Sequence, residues 1–442
     1  MKKTTIALMA ALTAGALALA GCGEDKPTTG GSSTSPKAGE SPVAAEPVTL
    51  TVSGWSLETT PEFQVLADAF HAANPNVTVE IKEYDANDYG TLMLADMSAG
   101  AAPDIITIKE AKALSQWVDG GQLMDVSDVV SSLPSNVSGA GSYTIDGVNY
   151  AAPYRQDSWV LYYNIDLFTQ AGVAVPDGSW TWDDYAAKAK EIASKLVGPK
   201  GAYEHSWQST LQGFAQAQTP GADLAGGKDY SYLKPYYERV LDLQSVGAQE
   251  TYGNIQTNKL TYQSQFGKQQ AAMMAMGSWY VATLISQQAS GEADTFAWGI
   301  APIPQYDSST TGTDKVPVTF GDPTGMGINA GIDEAKVDAA KAFLSFVASE
   351  AAGVALAEIG IVSSVSSDAV TTAYFAQAGI PTDDLSKFAM STHDTRPENP
   401  QSPTIATIQT ALGEAHTAIM SGSTGIDAAI TQATETIKAE LG

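Results

Sequence analysis

Alternating apolar and polar positions predict strands at the start of the folded body. In residues 48–55, VTLTVSGW, Val48, Leu50 and Val52 share one face, since successive side chains of a strand point to opposite sides. Residues 76–84 alternate in the same way. Residues 102–109, APDIITIK, form the apolar run of a largely buried strand. We therefore predict three successive strands.

Helical spacing fills the gaps between these strands. Phe63, Leu66, Ala67 and Phe70 recur at i, i+3, i+4 and i+7, which is one face of a helix. A second helix is predicted around residues 89–98. Strands that alternate with helices in this way are typical of a parallel sheet with helical crossovers. The predicted fold class is therefore α/β.

From about residue 159 onward the patterns are more helical. The predicted elements are helices over residues 181–196, 232–246 and 263–279, a strand over 295–304, and a strand, a turn and a helix over 325–349. Thr181 has the position of an N-cap, because two aspartates follow it in the first turn. The chain shows no repeat of solenoid length.

One apolar, aromatic run contains charged residues. Residues 147–173 have the composition of buried sheet for most of their length, but they include Arg155 and Asp157, flanked by Tyr154 and Trp159. A polar cluster inside core sequence marks this segment as a candidate functional region.

Length and charge narrow the class of protein. A chain of 442 residues exceeds what one hydrophobic core usually supports, so two lobes or domains are expected. The 23 basic and 49 acidic residues give a net charge of −26. This charge disfavours nucleic acid as a partner, because phosphate binding needs a basic face.

The N-terminus predicts export and lipid attachment. Two lysines precede an apolar run over residues 6–20, which is short for a membrane span and typical of a signal peptide, here residues 1–21. The following Cys22, the only cysteine, completes a sequence that resembles the bacterial lipobox, and we predict its lipidation. Residues 22–46 are expected to be this anchor and a flexible linker. The membrane is therefore contacted by lipid alone.

Four further stretches resemble one protein family, in the family's own order. They are residues 102–128, residues 147–185, residues 266–284 with a Gly-Ser-Trp turn, and residues 325–349. In these stretches the chain resembles the sugar-binding lipoproteins of ATP-binding-cassette (ABC) importers, which are maltose-binding-protein-like members of solute-binding protein family 1.

The resemblance implies a two-lobed fold of the periplasmic-binding-protein type. Its discontinuous lobes are joined by hinge strands, with a ligand cleft between them. The N-terminal lobe is expected to hold residues 47–155 and 316–364, and the C-terminal lobe residues 156–315 and 365–442. The polar cluster described above then lies where the chain passes between the lobes, faces the cleft, and is part of a hinge that closes on ligand.

The resemblance also implies partners and a location. The expected ligand is an oligosaccharide, and the expected protein partners are the permease subunits of an ABC importer. We expect a monomer, lipid-anchored at the extracellular face of the cytoplasmic membrane, with no cofactor and no metal. The leader, the linker and the low cysteine count favour a Gram-positive source.

A sugar offers an apolar C–H face and a ring of hydroxyls, so its site needs aromatic plates beside carboxylates, amides and arginines. Trp279 matches the family's stacking tryptophan, and Trp207 lies in a family region that often supplies another aromatic ring. Asp157 and Arg155 are expected to bond hydroxyls, with a structural hinge ion pair as the competing interpretation. Asp322 lies at the return crossing, where it serves either the ligand or a turn.

Weaker candidates follow the predicted strands or lie in a polar segment. They are Trp55 and Glu58 after the first strand, Tyr84 and Asn87 after the second, and His393, Asp394 and Arg396 in a predicted loop of the second lobe. The carboxyl ends of parallel strands are the usual ligand edge of an open α/β sheet. The remaining tryptophans, Trp117, Trp180, Trp182 and Trp298, are assigned to structure and core.

Enzymatic functions have little support in the sequence. The four histidines lack metal-binding spacing, and neither a nucleophile elbow nor a phosphate-cradling loop occurs. We therefore predict a receptor that performs no reaction. Two alternatives stay open: a binding protein for another polar or cationic solute, and a secreted glycoside hydrolase whose two carboxylates are hidden among 49 acids.

Overall fold

Two larger β-sheets, each with its own hydrophobic core, and two two-stranded sheets organise residues 46–441, the part of the chain that the computed structural model describes. The predicted signal peptide, Cys22 and the linker up to residue 45 lie outside the described residues. Among residues 46–441, no single helix has the length and apolarity needed to cross a bilayer. One bent pair, Glu334–Val347 and Glu350–Ala357, meets that test only when its two parts are combined.

The elements are numbered along the chain. The strands are β1 (Val48–Gly54), β2 (Val77–Glu83), β3 (Ile105–Ile108), β4 (Thr144–Ile145), β5 (Val148–Asn149), β6 (Ala152–Gln156), β7 (Trp159–Asn164), β8 (Lys200–Tyr203), β9 (Ala271–Gly277), β10 (Trp298–Ala301), β11 (Val318–Phe320), β12 (Pro323–Ile328) and β13 (Asp394–Arg396). The helices are α1 (Glu62–Ala73), α2 (Tyr89–Ala99), α3 (Leu114–Asp119), α4 (Ser127–Ser131), α5 (Ile165–Ala171), α6 (Trp182–Lys195), α7 (Ser209–Gln218), α8 (Lys234–Ser245), α9 (Tyr252–Asn258), α10 (Tyr262–Gly267), α11 (Tyr280–Ser290), α12 (Val337–Val347), α13 (Glu350–Ala357), α14 (Asp368–Ala376), α15 (Asp384–Ser391), α16 (Ile405–Met420) and α17 (Ile426–Leu441).

The first sheet has five strands in the order β2-β1-β3-β12-β6. Strands β1, β2 and β3 run parallel, as the alternation with helices predicts, whereas β12 is antiparallel to both of its neighbours. Leu50 and Val52 of β1 are fully buried, and Phe63 and Phe70 of α1 join them in the first core. The three strands and two helices expected at the start of the body are confirmed.

The second sheet has four strands in the order β10-β7-β9-β8. Every residue of β7 and β9 is buried, since helices cover both faces of the sheet. Trp180, Trp182 and Trp298 pack in this second core and Trp117 in the first, which confirms the structural assignment of these four residues. Thr181 caps α6 through a capping box with Asp184, also as expected.

The helix predicted over residues 263–279 is wrong for most of its length. Helix α10 ends at Gly267, and residues 271–277, AAMMAMG, form β9, the central strand between β7 and β8. Alanine and methionine favour helices in isolation. A strand buried on both faces has no polar alternation to reveal it, so pairing with two neighbours overrides the local preference.

The chain passes between the two sheets at three places. Residues 157–158 join β6 to β7, and residues 321–322 join β11, whose Val318 and Phe320 pack in the second core, to β12 of the first sheet. Residues 358–367 lead from α13 to α14, whose inward residues pack in the second core. We call these segments the first, second and third crossings.

Candidate functional site

The first crossing holds Asp157 and Ser158 between the two sheets. Its strands are fixed on both sides, because β6 pairs with β12 while β7 pairs with β9 and β10. Ser278, directly after β9, donates its backbone N–H to the Ser158 carbonyl oxygen at 2.8 Å, and its hydroxyl accepts from the Ser158 N–H at 3.3 Å. The turn that carries Trp279 is therefore fastened to the crossing.

Four side chains, Glu62, Arg155, Asp157 and Ser278, form a continuous polar chain that we call the crossing network. Arg155 Nη1 donates to Glu62 Oε2 at 2.5 Å, and Arg155 Nε lies 2.7 Å from Asp157 Oδ2. The Ser278 hydroxyl donates to Asp157 Oδ1 at 2.8 Å. All four residues are buried, so both carboxylate oxygens of Asp157 are engaged by protein groups.

Burial and neighbouring charges have opposite effects on the pKa values of Glu62 and Arg155 in the crossing network. Burial raises the pKa of the Glu62 carboxyl, and the neighbouring Arg155 opposes this effect. Burial would by itself lower the pKa of Arg155, but the carboxylates of Asp157 and Glu62 hold it well above its ordinary value. The guanidinium therefore stays charged, and its two carboxylate partners compensate the cost of burying it.

Three half-buried rings, Trp207, Tyr262 and Trp279, form what we call the aromatic cluster. The Tyr262 ring centroid lies 5.7 Å from that of Trp207, and Trp279 meets Trp159 edge to face at 5.5 Å. Burial raises the pKa of Tyr262, against smaller opposing effects of Trp279 and Arg155. Trp279 also follows Ser278, which is bonded to the first crossing, so partly exposed aromatic surface lies beside the crossing network.

The carboxyl ends of the parallel strands contribute a second, more closed aromatic group. Trp55 follows β1 and packs edge to face on Phe63 at 5.0 Å and on Tyr89 at 5.1 Å. The Lys109 ammonium, after β3, lies 5.4 Å from the Trp55 ring centroid. Burial lowers the pKa of this lysine. The Tyr84 hydroxyl, after β2, donates to Asp96 at 2.6 Å.

At the second crossing, Asp322 is linked to a segment of the second lobe. Its Oδ1 accepts from the Glu398 N–H at 2.9 Å, and its Oδ2 accepts from the Asn399 side chain at 2.7 Å. Burial away from solvent raises the pKa of the Asp322 carboxyl to about 6. Loss of water and the charge of Asp322 raise the pKa of Glu398 to about 8, with Lys112 opposing and Glu110 adding to the rise.

This carboxyl pair predicts a pH-dependent stability. Because the folded-state pKa of Glu398 is raised from 4.5 to about 8, the native state binds more protons than the unfolded state in that interval. The free energy of unfolding is therefore expected to fall as pH rises from about 4.5 to about 8. Glu398→Gln should flatten this fall in urea denaturation curves.

The matched control for that measurement is Glu414→Gln, which removes an exposed carboxyl from α16. It should leave the pH profile of unfolding unchanged. A Glu398→Gln profile with the wild-type slope would contradict the assigned coupling between Asp322 and Glu398.

The structure brings some of the sequence candidates together and leaves others apart. Arg155 and Asp157 join one network, Trp207 and Trp279 join one cluster, and His393 Nε2 lies 3.4 Å from Ser158 Oγ. Trp55 is buried beside Lys109, and Asp322 is bonded to the 398–399 segment. The other candidates are exposed: Glu58, Asn87 and Asp394. Their roles in binding stay predictions.

The three exposed candidates have few side-chain contacts within the described part of the chain. The side chains of Glu58 and Asn87 make no hydrogen bond or ion pair within residues 46–441. Asp394 pairs with Arg396 at 3.2 Å. These two residues are the first and last of strand β13, which runs parallel to β11, so the predicted loop is wrong there. The segment is polar and has no apolar periodicity, and it is a strand because it pairs with β11.

Sequence reasoning missed Glu62, Ser278, Tyr262 and Glu398. Glu62 opens α1, where an acid is usual because the helix N-terminus is positive, so nothing distinguished it from a helix-end charge. Ser278 belongs to the Gly-Ser-Trp turn that drew attention to Trp279. Adjacency to that tryptophan was the one signal available.

Comparison with known proteins places this geometry in a family. Residues 55–354 match the model of the bacterial extracellular solute-binding proteins. The chain belongs to this family. A sugar transporter from Rhizobium etli, solved in an open conformation, is 31% identical with a TM-score of 0.73, and the alignment covers 88% of this chain and 99% of that one.

Curated relatives are more distant from this solute-binding protein. A binding protein of Brucella abortus is 25% identical over 60% of this chain, and the match spans 65% of that relative's length. The multiple sugar-binding protein of Streptococcus mutans is 24% identical over 52% of this chain and 57% of its own length. The two-lobed α/β fold expected from the sequence is confirmed by the structural match.

Proposed function

We propose that this chain is the substrate-binding lipoprotein of an ABC importer, which captures an oligosaccharide between its lobes and delivers it to a membrane permease. The observation that carries the proposal is the aromatic cluster. Its three rings, Trp207, Tyr262 and Trp279, keep part of their surface accessible, and Trp279 lies next to the first crossing. Nine tyrosines are by contrast fully buried.

The proposed mode of binding follows from the chemistry of a sugar ring. Its C–H face stacks on the aromatic cluster, and its hydroxyls bond in pairs to polar groups around the crossings. Among these groups we propose Asp322, His393 and the free donors of Arg155. We propose no chemical reaction. The protein acts through the difference in ligand affinity between its open and closed conformations.

Contacts between the lobes support closure as the conformational change. Gln401 of the second lobe donates to the Gly141 carbonyl oxygen at 2.6 Å, and the hydroxyls of Thr60 and Thr283 lie 3.4 Å apart. Polar contacts of this kind, which are exposed or only partly buried, break at low cost, as a hinge requires. Small-angle scattering should therefore show a smaller radius of gyration when a suitable oligosaccharide is added. An unchanged radius with bound sugar would contradict closure.

The remaining features of the receptor are part of the same proposal. The lobes are proposed to be residues 47–155 with the segment from β12 to about 364, and residues 156–320 with 365–442. The return begins at the second crossing rather than at residue 316, because Val318 and Phe320 pack in the second core. We also propose a monomer, anchored through lipidated Cys22 at the outer face of the membrane.

Trp279→Ala is expected to weaken oligosaccharide binding roughly 30-fold, the loss of about 2 kcal/mol typical of a central aromatic contact. Isothermal titration calorimetry against a panel of malto-, chito- and other oligosaccharides first identifies the ligand and then measures this loss. The control is Tyr306→Ala, which removes an exposed ring elsewhere in the second lobe. Equal affinities in wild type and Trp279→Ala would refute stacking at this position.

A cationic solute is the second candidate, and the carboxyl pair favours it. The charge of Asp322 raises the pKa of Glu398, and the charge of Glu110 adds to the rise in the pKa of both carboxyls, as repelling acids do. A thermal-shift panel of polyamines and oligosaccharides separates the two ligand classes. Product analysis after long incubation with oligosaccharides tests for hydrolysis, since a receptor returns them intact.

A further inference from the structure

The orientation of the Trp279 ring is set by the turn that precedes it. A Cβ placed on Gly277 would meet Trp279 ring carbons at 1.9 and 2.2 Å, so the indole folds back directly over the glycine. The other side of the indole meets Trp159 of β7 edge to face. Because the ring lies against its own turn, any shift of the Gly277–Ser278 backbone moves the ring with it.

That turn is held by side chains from both lobes. The Ser278 hydroxyl donates to Asp157 of the first crossing, Asp157 pairs with Arg155 of β6, and Arg155 pairs with Glu62 of α1. Helix α1 and β6 belong to the first lobe, and Ser278 belongs to the second. Glu62 and Arg155 are separated by 93 positions along the chain, and Asp157 and Ser278 by 121, so these two contacts are tertiary.

We propose that the crossing network fixes the position of the Trp279 ring. The network holds this ring of the second lobe in a constant position relative to the first lobe, through Ser278, Asp157, Arg155 and Glu62. Glu62 and Ser278 are thus positioning residues for binding, although both are buried and neither needs to touch the ligand. This inference rests on the proposed function for its effect on affinity, but its structural content does not depend on which solute binds.

Buried groups that already have protein partners suit this role better than direct ligand binding. Both oxygens of Asp157 already have protein partners, and Glu62 is 1% exposed. A charge pair in such surroundings has one well-defined geometry, because each alternative leaves a buried charge without its partner. A displacement of α1 therefore also displaces the turn that carries Trp279, because the network between them keeps its geometry.

The test reads the Trp279 environment directly. The full-length chain is labelled with 5-fluorotryptophan, which gives eight fluorine positions, and the Trp279 resonance is assigned from its loss in Trp279→Phe. Ser278→Ala removes the hydroxyl, and Glu62→Gln neutralises the far end of the network. Both are expected to shift the Trp279 resonance without ligand and to weaken binding of the solute identified by calorimetry roughly three- to tenfold.

The matched control is Ser364→Ala. Ser364 is also buried and lies at the third crossing, but its hydroxyl donates to the Pro153 carbonyl oxygen, outside the network. It should leave the Trp279 resonance in place. A resonance that stays at its wild-type position in Ser278→Ala, or in a folded Glu62→Gln protein, overturns the proposal.

The two proposals fail in different ways. If no oligosaccharide or other solute binds the wild-type protein, the proposed function fails, while the resonance shifts without ligand still decide the positioning role. If Glu62→Gln does not fold, the milder Ser278→Ala variant decides alone, with circular dichroism melting as the check of its fold. Weaker binding by Ser278→Ala with an unmoved Trp279 resonance counts against positioning.

Discussion

Arg155→Met is expected to destabilise the protein by about 3–5 kcal/mol, the cost of leaving buried carboxylates without their counter-ion. The arginine side chain is 10% exposed, and its partners Glu62 and Asp157 are 2% and 6% exposed, so water cannot replace the guanidinium. Urea denaturation followed by circular dichroism measures the change. The methionine retains much of the packing volume, which isolates the loss of charge.

The control and the rescue are both available in this chain. Arg396→Met removes an arginine whose ion pair with Asp394 is about half exposed, and such surface pairs contribute about 0–1 kcal/mol. Adding Glu62→Gln and Asp157→Asn to Arg155→Met removes the uncompensated charges and should recover part of the lost stability. A single Arg155→Met variant within about 1 kcal/mol of the wild type would show that the buried charges are not mutually dependent.

Gly321→Ala is the second substitution with a large expected effect. A Cβ at this position would lie 2.2 Å from the Asp157 carbonyl oxygen and 3.1 Å from its carbonyl carbon. Both atoms are backbone, so no side chain can move aside, and the first and second crossings must separate. We expect a loss of about 1–3 kcal/mol in the free energy of unfolding, together with weaker ligand binding.

Gly90→Ala is the matched control for this overpacking. It lies in α2, where a Cβ would meet nothing within 4 Å, and there the exchange is expected to be neutral or to stabilise by about 0.5–1 kcal/mol. Differential scanning calorimetry of both variants, with and without ligand, measures the two effects. Wild-type stability and affinity in Gly321→Ala would mean that the crossings are not in the contact described.

The elements predicted from the sequence are correct where one face of a helix or strand is buried and the other is exposed to solvent. Strand β1 and helices α1 and α6 have this amphipathic pattern, and each begins and ends close to the predicted residue. Strand β9 has no wet face, so its Ala-Met run carried no periodicity from which a strand could be recognised. Strand β13 failed for the opposite reason, since it is polar and short.

The candidate site divides along the same line. Arg155 and Asp157 were found from the sequence because charges inside an apolar run are conspicuous, and Trp279 was found from its Gly-Ser turn. Glu62 and Ser278 were not, because an acid at a helix start and a serine in a turn are ordinary in any sequence. Their significance comes from partners that are remote along the chain.

From the sequence alone came the α/β class and the first crossing as the region of interest, with the export signal and linker as expectations, because these depend on local composition and periodicity. The family came from the four stretches that resemble it. Only the tertiary structure decided that Asp157 has both oxygens engaged, that Gly321 packs on its backbone, and that the Trp279 turn is tied to Glu62 of the other lobe. The physical reason is that ion pairs and close backbone contacts depend on distance in space, which local patterns along a chain do not encode.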